Sequence, residues 1–234
     1  NNCSKASIDN IRRNLSSFFS WLEEENYILK SPMKRIHKIK TDKVIKETYS
    51  DEAMELMRDN CTEIRDLAII DMLASTGMRV GELVRLNIND IDFENRECVV
   101  FGKGNKERLI PLDQETFHYV YNYMQNERSF FDKKNSLWLF MMNDGRRMTR
   151  ENFYNILQKL VLEAGVRDHF TPHMLRHTFA TTLLENHCDL RSIQVMLGHQ
   201  DISTTTIYTH VTHKQIMDDY NKFHPGNARR KDDE

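Results

Sequence analysis

The chain has 234 residues, 39% of them hydrophobic, and a formal net charge of −2. That is enough apolar material for one large or two smaller globular domains, and no apolar run is long enough to cross a bilayer, so a membrane-spanning class is excluded at this level. Cys3, Cys61, Cys98 and Cys188 are scattered without a CxxC pair, which suggests neither a disulfide framework nor a zinc ribbon and fits a reducing cytoplasm.

The charge is unevenly placed. Residues 1–43 hold nine Lys and Arg against five Asp and Glu, leaving 24 against 30 for the remainder, so a positive amino-terminal stretch sits on a mildly acidic protein. The first residue is Asn1 rather than Met, and the chain is expected to continue a longer protein upstream.

From Ser7 to Tyr27, the apolar positions Ile8, Ile11, Leu15, Phe18, Phe19 and Leu22 fall on one face of a predicted helix. A single amphipathic helix cannot bury its face alone, so it is expected to belong to a larger helical unit. Between Lys30 and Lys46 seven Lys and Arg face one Asp, with Pro32 and no clean period, which reads as a basic linker. Lys34, Arg35, Lys38, Lys40 and Lys43 are its candidate phosphate contacts, against the plainer reading of a solvated connector.

Helices are predicted over Ser50 to Asp59 and Glu63 to Ser75, the second stopped by Gly77. The string STGMRVGEL follows, with Arg79 just past that stop and Glu82 one turn into a further helix, Val80 to Leu86, where Arg79 can be buried and oriented by Glu82. An Arg–Glu pair at this spacing is by itself an ordinary helix feature. Between Ile91 and Leu112 the apolar period changes to two, predicting short strands Ile91 to Phe93, Glu97 to Phe101 and Arg108 to Pro111 in a small antiparallel sheet, with Lys103 at a glycine-flanked hairpin tip and Lys106 beside it. Gln114 to Arg128 and Thr149 to Glu163 read as scaffold helices, joined through Leu137 to Arg147, a short strand or a buried run into a turn.

The segment from Thr171 to His210 carries the chemistry. Pro172 suits a helix start, and His173 and Arg176 share a face at i, i+3, placing an imidazole and a guanidinium where backbone N–H groups already favour an anion. A second helix, Leu190 to Leu197, ends at Gly198 and delivers His199. Tyr208 lies in a third short segment among the small hydroxyl residues Thr204, Thr205, Thr206 and Thr209. A last helix, His213 to Phe223, has a short apolar face of Ile216, Met217, Tyr220 and Phe223.

HxxRH at 173–177, LGH at 197–199 and a Tyr nine residues after that His resemble the carboxy-terminal boxes of the tyrosine recombinases, the phage integrase family, and in particular its Xer-like members. STGxRxxEL and GKGNKERLIPL resemble the family's first arginine box and β-hairpin box, in the right order. The resemblance implies a mainly α fold with a small antiparallel sheet, an α+β catalytic domain over 48–212. It would be preceded by the end of a helical core-binding domain (1–29) and the basic linker (30–47), and followed by a terminal helix and tail (213–234) exchanged between protomers.

It implies catalysis by Arg79, Lys103, His173, Arg176, His199 and Tyr208, supported by Glu82, with Lys106 a further DNA contact and neither metal nor cofactor. The expected reaction is cleavage and rejoining of DNA at a recombination site through a 3'-phosphotyrosyl intermediate and a Holliday junction. A homotetramer on two duplex sites would perform it, with an accessory or second recombinase protein as a further partner. A type IB topoisomerase and a DNA-binding protein without catalysis are the alternatives; a metallohydrolase built on His173 and His177 lacks the acidic residue of HExxH.

Overall fold

The structure is a computed structural model and describes residues 3–39, 48–102, 104, 107–166, 170–198 and 213–225. It divides into two compact units, 1–45 and 46–234.

The first unit is built on α1 (Lys5–Glu24), which starts where the Ser4 side chain accepts the Ser7 N–H. The helix ends three residues before the predicted limit at Tyr27, because Asn26 takes a left-handed backbone. Its described partner is the segment that follows. Ser31 caps a 3-10 turn over Pro32–Arg35, Met33 is buried, and the Ser31 N–H donates to Glu23 at 3.2 Å. Asp9 is buried between Arg12, at 2.8 Å, and the Ile39 N–H. Residues 31–39 are therefore folded onto the polar side of α1, whereas Ile8, Ile11, Leu15, Phe18 and Trp21 stay exposed.

The second unit starts with α2 (Asp51–Asp59), capped by the Ser50 side chain, and α3 (Ile64–Thr76), whose apolar residues are buried almost all round. A helix buried on every side belongs at the centre of a domain, and α3 packs against both α5 and α8. Gly77 ends it with φ of 60°. Next, α4 (Val80–Leu83) is a single turn, shorter than the expected Val80 to Leu86. The chain leaves the helix there because the Leu86 carbonyl accepts the Leu139 N–H and the Ile88 N–H donates to Leu137, an extended pairing a helix could not make.

Strands β1 (Ile91–Asp92), β2 (Glu97–Phe101) and β3 (Glu107–Pro111) form an antiparallel sheet in that order, with Cys98 paired to both Ile91 and Ile110. Cys98, Val100 and Ile110 are buried, the alternation expected when one sheet face meets a core. Helix α5 (Gln114–Asn126) stops short of Arg128, and α6 (Arg128–Phe131) follows. The break falls at Glu127, whose carboxylate accepts the Arg65 N–H at 2.7 Å, while the buried Arg128 guanidinium turns to the Trp138 and Ser136 carbonyls. Helices α7 (Arg150–Glu163), α8 (Pro172–Glu185) and α9 (Leu190–Leu197) complete the scaffold with α10 (His213–Phe223).

The described residues form two apolar clusters. The larger joins α2, α3, α5, α7 and the sheet; the smaller joins Phe179 and Leu183 of α8, Ile193 and Met196 of α9, and Ile216 and Tyr220 of α10. In this single chain α10 thus lies on its own domain rather than reaching away from it. Its Tyr220 hydroxyl donates to the Ser75 carbonyl at 3.0 Å, and the His224 ring stacks on Tyr220 at 4.6 Å. The short apolar face of α10 is filled in cis because the crevice between α8 and α9 offers matching apolar surface. Among the described residues no helix is long and apolar enough to cross a membrane.

Candidate active site

Arg176 reaches the site from the second turn of α8. Thr171 caps that helix by accepting the Met174 N–H, and Pro172 occupies its first position. The Arg176 side chain is buried, with Nη1 donating to the Gly77 carbonyl at 2.7 Å and Nη2 to the Leu197 carbonyl at 2.6 Å. These carbonyls lie at the carboxy ends of α3 and α9, which carry partial negative charge and lack intrahelical partners. The cation is thereby fixed by two helix ends instead of by a carboxylate. Burial pushes its pKa down to about 10, and the positive charges of Arg79 and Arg108 act in the same direction. It remains protonated at neutral pH, with its charge only partly compensated.

Arg79 stands at the N-cap of α4. Its backbone N–H donates to Glu82 Oε2 at 2.8 Å and its Nη1 to Glu82 Oε1 at 3.0 Å. Contrary to the expectation that it is buried, its side chain is 43% exposed, with one terminal nitrogen tethered by Glu82. Glu82 itself is buried and also receives Arg108. Burial raises the Glu82 pKa, but hydrogen bonds from Arg108 and the Arg79 backbone outweigh that, and the net shift is downward.

Arg79 and Arg176 line one cleft of about 910 Å³, together with His173 and three cations that sequence reasoning did not single out, Arg85, Arg147 and Arg150. Glu82 is the single acidic residue among the described lining residues, and its charge is already committed. Arg147 is held by the Val84 and Arg85 carbonyls at 3.0 and 2.6 Å and lies over the Trp138 ring. The Arg150 guanidinium rests on Gly81, where a Cβ would come within 2.3 Å of Nη2. Arg150 occupies the first turn of α7, where the helix dipole disfavours a cation; that conflict, and the basic run RRMTR, was the signal in the sequence. Such a cleft suits a polyanion with one phosphate near Arg79 and Arg176.

Of the other expected site residues, Lys103, His199 and Tyr208 lie outside the described residues, as do Lys40, Lys43 and Lys106. Arg35 and Lys38 are exposed, while Lys34 is engaged in an ion pair with Glu23. His177 is absent from the cleft lining.

The sequence profile of the phage integrase family matches residues 43–215. A tyrosine recombinase XerD of Oceanobacillus iheyensis is 40% identical over 228 residues, covering 95% of this chain and 77% of the relative. The chain belongs to the phage integrase family and is a tyrosine recombinase, an enzyme of site-specific DNA recombination. Among solved structures, XerA recombinase is similar with a TM-score of 0.64 and 29% identity, covering 90% of this chain and 74% of that one. XerH site-specific recombinase bound to its difH substrate is similar with a TM-score of 0.67 and 25% identity, covering 94% and 66%. The topoisomerase and non-catalytic alternatives are not favoured by these likenesses.

Proposed function

We propose that the cleft binds the scissile phosphate of a duplex DNA recombination site and that Tyr208 attacks it. The observation that carries this reading is the pairing of a buried, carbonyl-anchored Arg176 with a half-open Arg79 in a cleft whose one acid among the described residues is already held. In the pentacovalent transition state, charge grows on the two nonbridging oxygens, and two planar guanidinium groups meet it better there than in the ground state. Tyr208 Oη forms the new bond to phosphorus as its proton passes to His173. The bond from phosphorus to the 5' oxygen breaks, and that oxygen takes a proton from Lys103, while His199 donates to a nonbridging oxygen. The product is a 3'-phosphotyrosine and a free 5'-hydroxyl. The phosphodiester energy is conserved in the link, so a 5'-hydroxyl from a second duplex can reverse the step without a cofactor.

Two rounds of this exchange on two duplexes pass through a Holliday junction and call for four protomers, with α10 available to change from its own domain to a neighbour. An accessory or second recombinase protein can join that assembly. Arg35, Lys38, Lys40, Lys43 and Lys106 would add phosphate contacts, Lys34 would add one by leaving Glu23, and a cytoplasmic setting suits access to DNA. The relative bound to its difH substrate supports the choice of DNA as the ligand. Incubation of the protein with a nicked site, followed by denaturing electrophoresis, tests the reading: the wild type forms a covalent adduct and Tyr208→Phe forms none. A persistent adduct in the variant would place the nucleophile elsewhere.

A further inference from the structure

Arg108 is a buried charge, bonded to Glu82, that the reaction above leaves without a role. It stands on β3, and its side chain is 8% exposed. Nη2 donates to Glu82 Oε2 at 2.7 Å, Nη1 to Glu82 Oε1 at 3.2 Å, and Nε to the Met196 carbonyl at 2.9 Å. Its guanidinium also lies against Gly198, where a Cβ would sit 3.1 Å from Nη1. One side chain therefore touches the sheet, the first arginine box through Glu82, and the end of α9 that leads into His199.

The Glu82 carboxylate is thus shared. It accepts both prongs of the Arg108 fork, the Arg79 backbone N–H, and a single Nη of the Arg79 side chain. A carboxylate with no competing guanidinium would take a facing arginine in a two-pronged pair, the preferred geometry. With Arg108 occupying both oxygens, the Arg79 side chain is held by one nitrogen alone and stays 43% exposed. Arg108 also supplies positive charge that keeps Glu82 ionised despite its burial.

We infer that Arg108 is a positioning residue that restrains Glu82 from capturing Arg79, leaving the Arg79 guanidinium free to engage the phosphate. This rests on the reading of Arg79 as part of the phosphate clamp. Arg108 does not touch the reacting atoms; it acts through Glu82 on Arg79, and through the Met196 carbonyl on the end of α9.

The test is a double-mutant cycle on single-turnover cleavage of a nicked duplex site, with the fold of each variant checked by circular dichroism and thermal melting. Arg108→Met leaves Glu82 to Arg79 alone and should slow cleavage by at least about tenfold. Adding Glu82→Gln removes the charge that captures Arg79 and should restore part of that loss, so that the double variant cleaves faster than Arg108→Met. Neutralising a buried carboxylate that has lost its main partner can also restore stability, so the melting temperatures decide: a double variant that cleaves faster than Arg108→Met without melting higher reports positioning, whereas a merely structural role ties any gain in cleavage to a gain in melting temperature.

Arg108→Lys keeps a charge beside Glu82 without the fork. It should fall between wild type and Arg108→Met, and Glu82→Gln should help it less. Should Arg108→Met fail to fold, this lysine pair decides in its place: wild-type cleavage by Arg108→Lys, or cleavage slowed further by the added Glu82→Gln, overturns the inference. Wild-type cleavage by Arg108→Met, or a double variant no faster than it, overturns it too. Arg79→Ala separates the two levels: if it cleaves normally the clamp reading itself fails, whereas a dead Arg79→Ala beside a normal Arg108→Met sinks only the role given to Arg108.

Discussion

Arg176 Nη1 donates to the Gly77 carbonyl across 2.7 Å, so the arginine on α8 is fixed by the residue that ends α3. Gly77 has φ of 60°, and a Cβ there would lie 2.5 Å from Phe179 Cδ1 and 2.9 Å from Leu197 Cδ2. The same glycine therefore sets the backbone turn, the packing of α8 and the anchor of a proposed catalytic cation.

Gly77→Ala should accordingly lower stability by about 2 to 4 kcal/mol, combining left-handed strain with overpacking, and should slow strand cleavage as well. Gly165→Ala is the control: its φ is 63° but nothing lies within 4 Å of the added Cβ, so it should cost about 1 kcal/mol and leave cleavage intact. Urea unfolding and a cleavage assay on both variants measure the contrast, and equal losses would refute the packing argument.

Arg79→Lys and Arg176→Lys each keep the charge and lose the fork. Cleavage should drop by about a hundredfold or more in both. Stability should separate them: Arg176→Lys gives up one of two helix-end carbonyl bonds and should melt lower, whereas the half-exposed Arg79 should be replaced with little thermal effect. Matching melting curves for the two variants would count against the helix-end anchor.

Asp71 supplies a pH dependence of uncommon sign. Burial lifts its pKa to about 6, with the nearby Asp113 adding to that and Arg58 opposing it; the Thr116 hydroxyl lies 2.8 Å from Asp71 and 2.9 Å from Asp113. A carboxyl whose folded pKa exceeds its unfolded value binds its proton more tightly when folded. Its contribution to stability is therefore greatest below about pH 4 and declines as pH rises to about 6, by up to roughly 3 kcal/mol. The stability of wild type minus that of Asp71→Asn should fall by that order between pH 4 and pH 6.5. Urea midpoints across the range provide the measurement, and a flat or rising difference would contradict the assignment.

The carboxy-terminal helix makes a separate prediction. Removing the chain from His213 onward uncovers Phe179, Leu183 and Met196 and deletes the Tyr220 bond to Ser75. The truncated protein should melt lower and bind a single site still, yet fail to assemble cooperatively or form Holliday junctions. Tyr220→Phe should cost only about 1 kcal/mol, the net worth of one hydrogen bond. Gel-shift stoichiometry and a junction assay read the first effect, and unchanged assembly in the truncation would confine α10 to its own domain.

Much of the scaffold follows from local sequence. The caps at Ser50, Asp113, Thr149 and Thr171 and the glycine stops at 77 and 198 stand where their side chains, or the lack of one, suit helix ends. The period-two stretch became the sheet, with Cys98 set between Ile91 and Ile110. The pairing of Arg79 with Glu82 was readable because it is three residues long. By contrast, the break at Glu127 and the early end of α4 depend on partners at Arg65 and Leu139, dozens of residues away, which no local period announces.

By itself, then, the sequence determined most of the helices, the hairpin, the family and the residues proposed for catalysis, since each rests on neighbours within a few turns or on contiguous motifs. Only the tertiary structure decided that Arg176 is held by two helix-end carbonyls, that Arg108 shares Glu82 with Arg79, and that Arg85, Arg147 and Arg150 join Arg79 and Arg176 around one cleft. Those relationships span 21 to 99 residues in the chain for Arg176 and 26 to 88 for Arg108. They exist because packing of α3, α8, α9 and the sheet brings charges together that would otherwise repel, at a point where helix-end dipoles and one buried carboxylate compensate part of their charge.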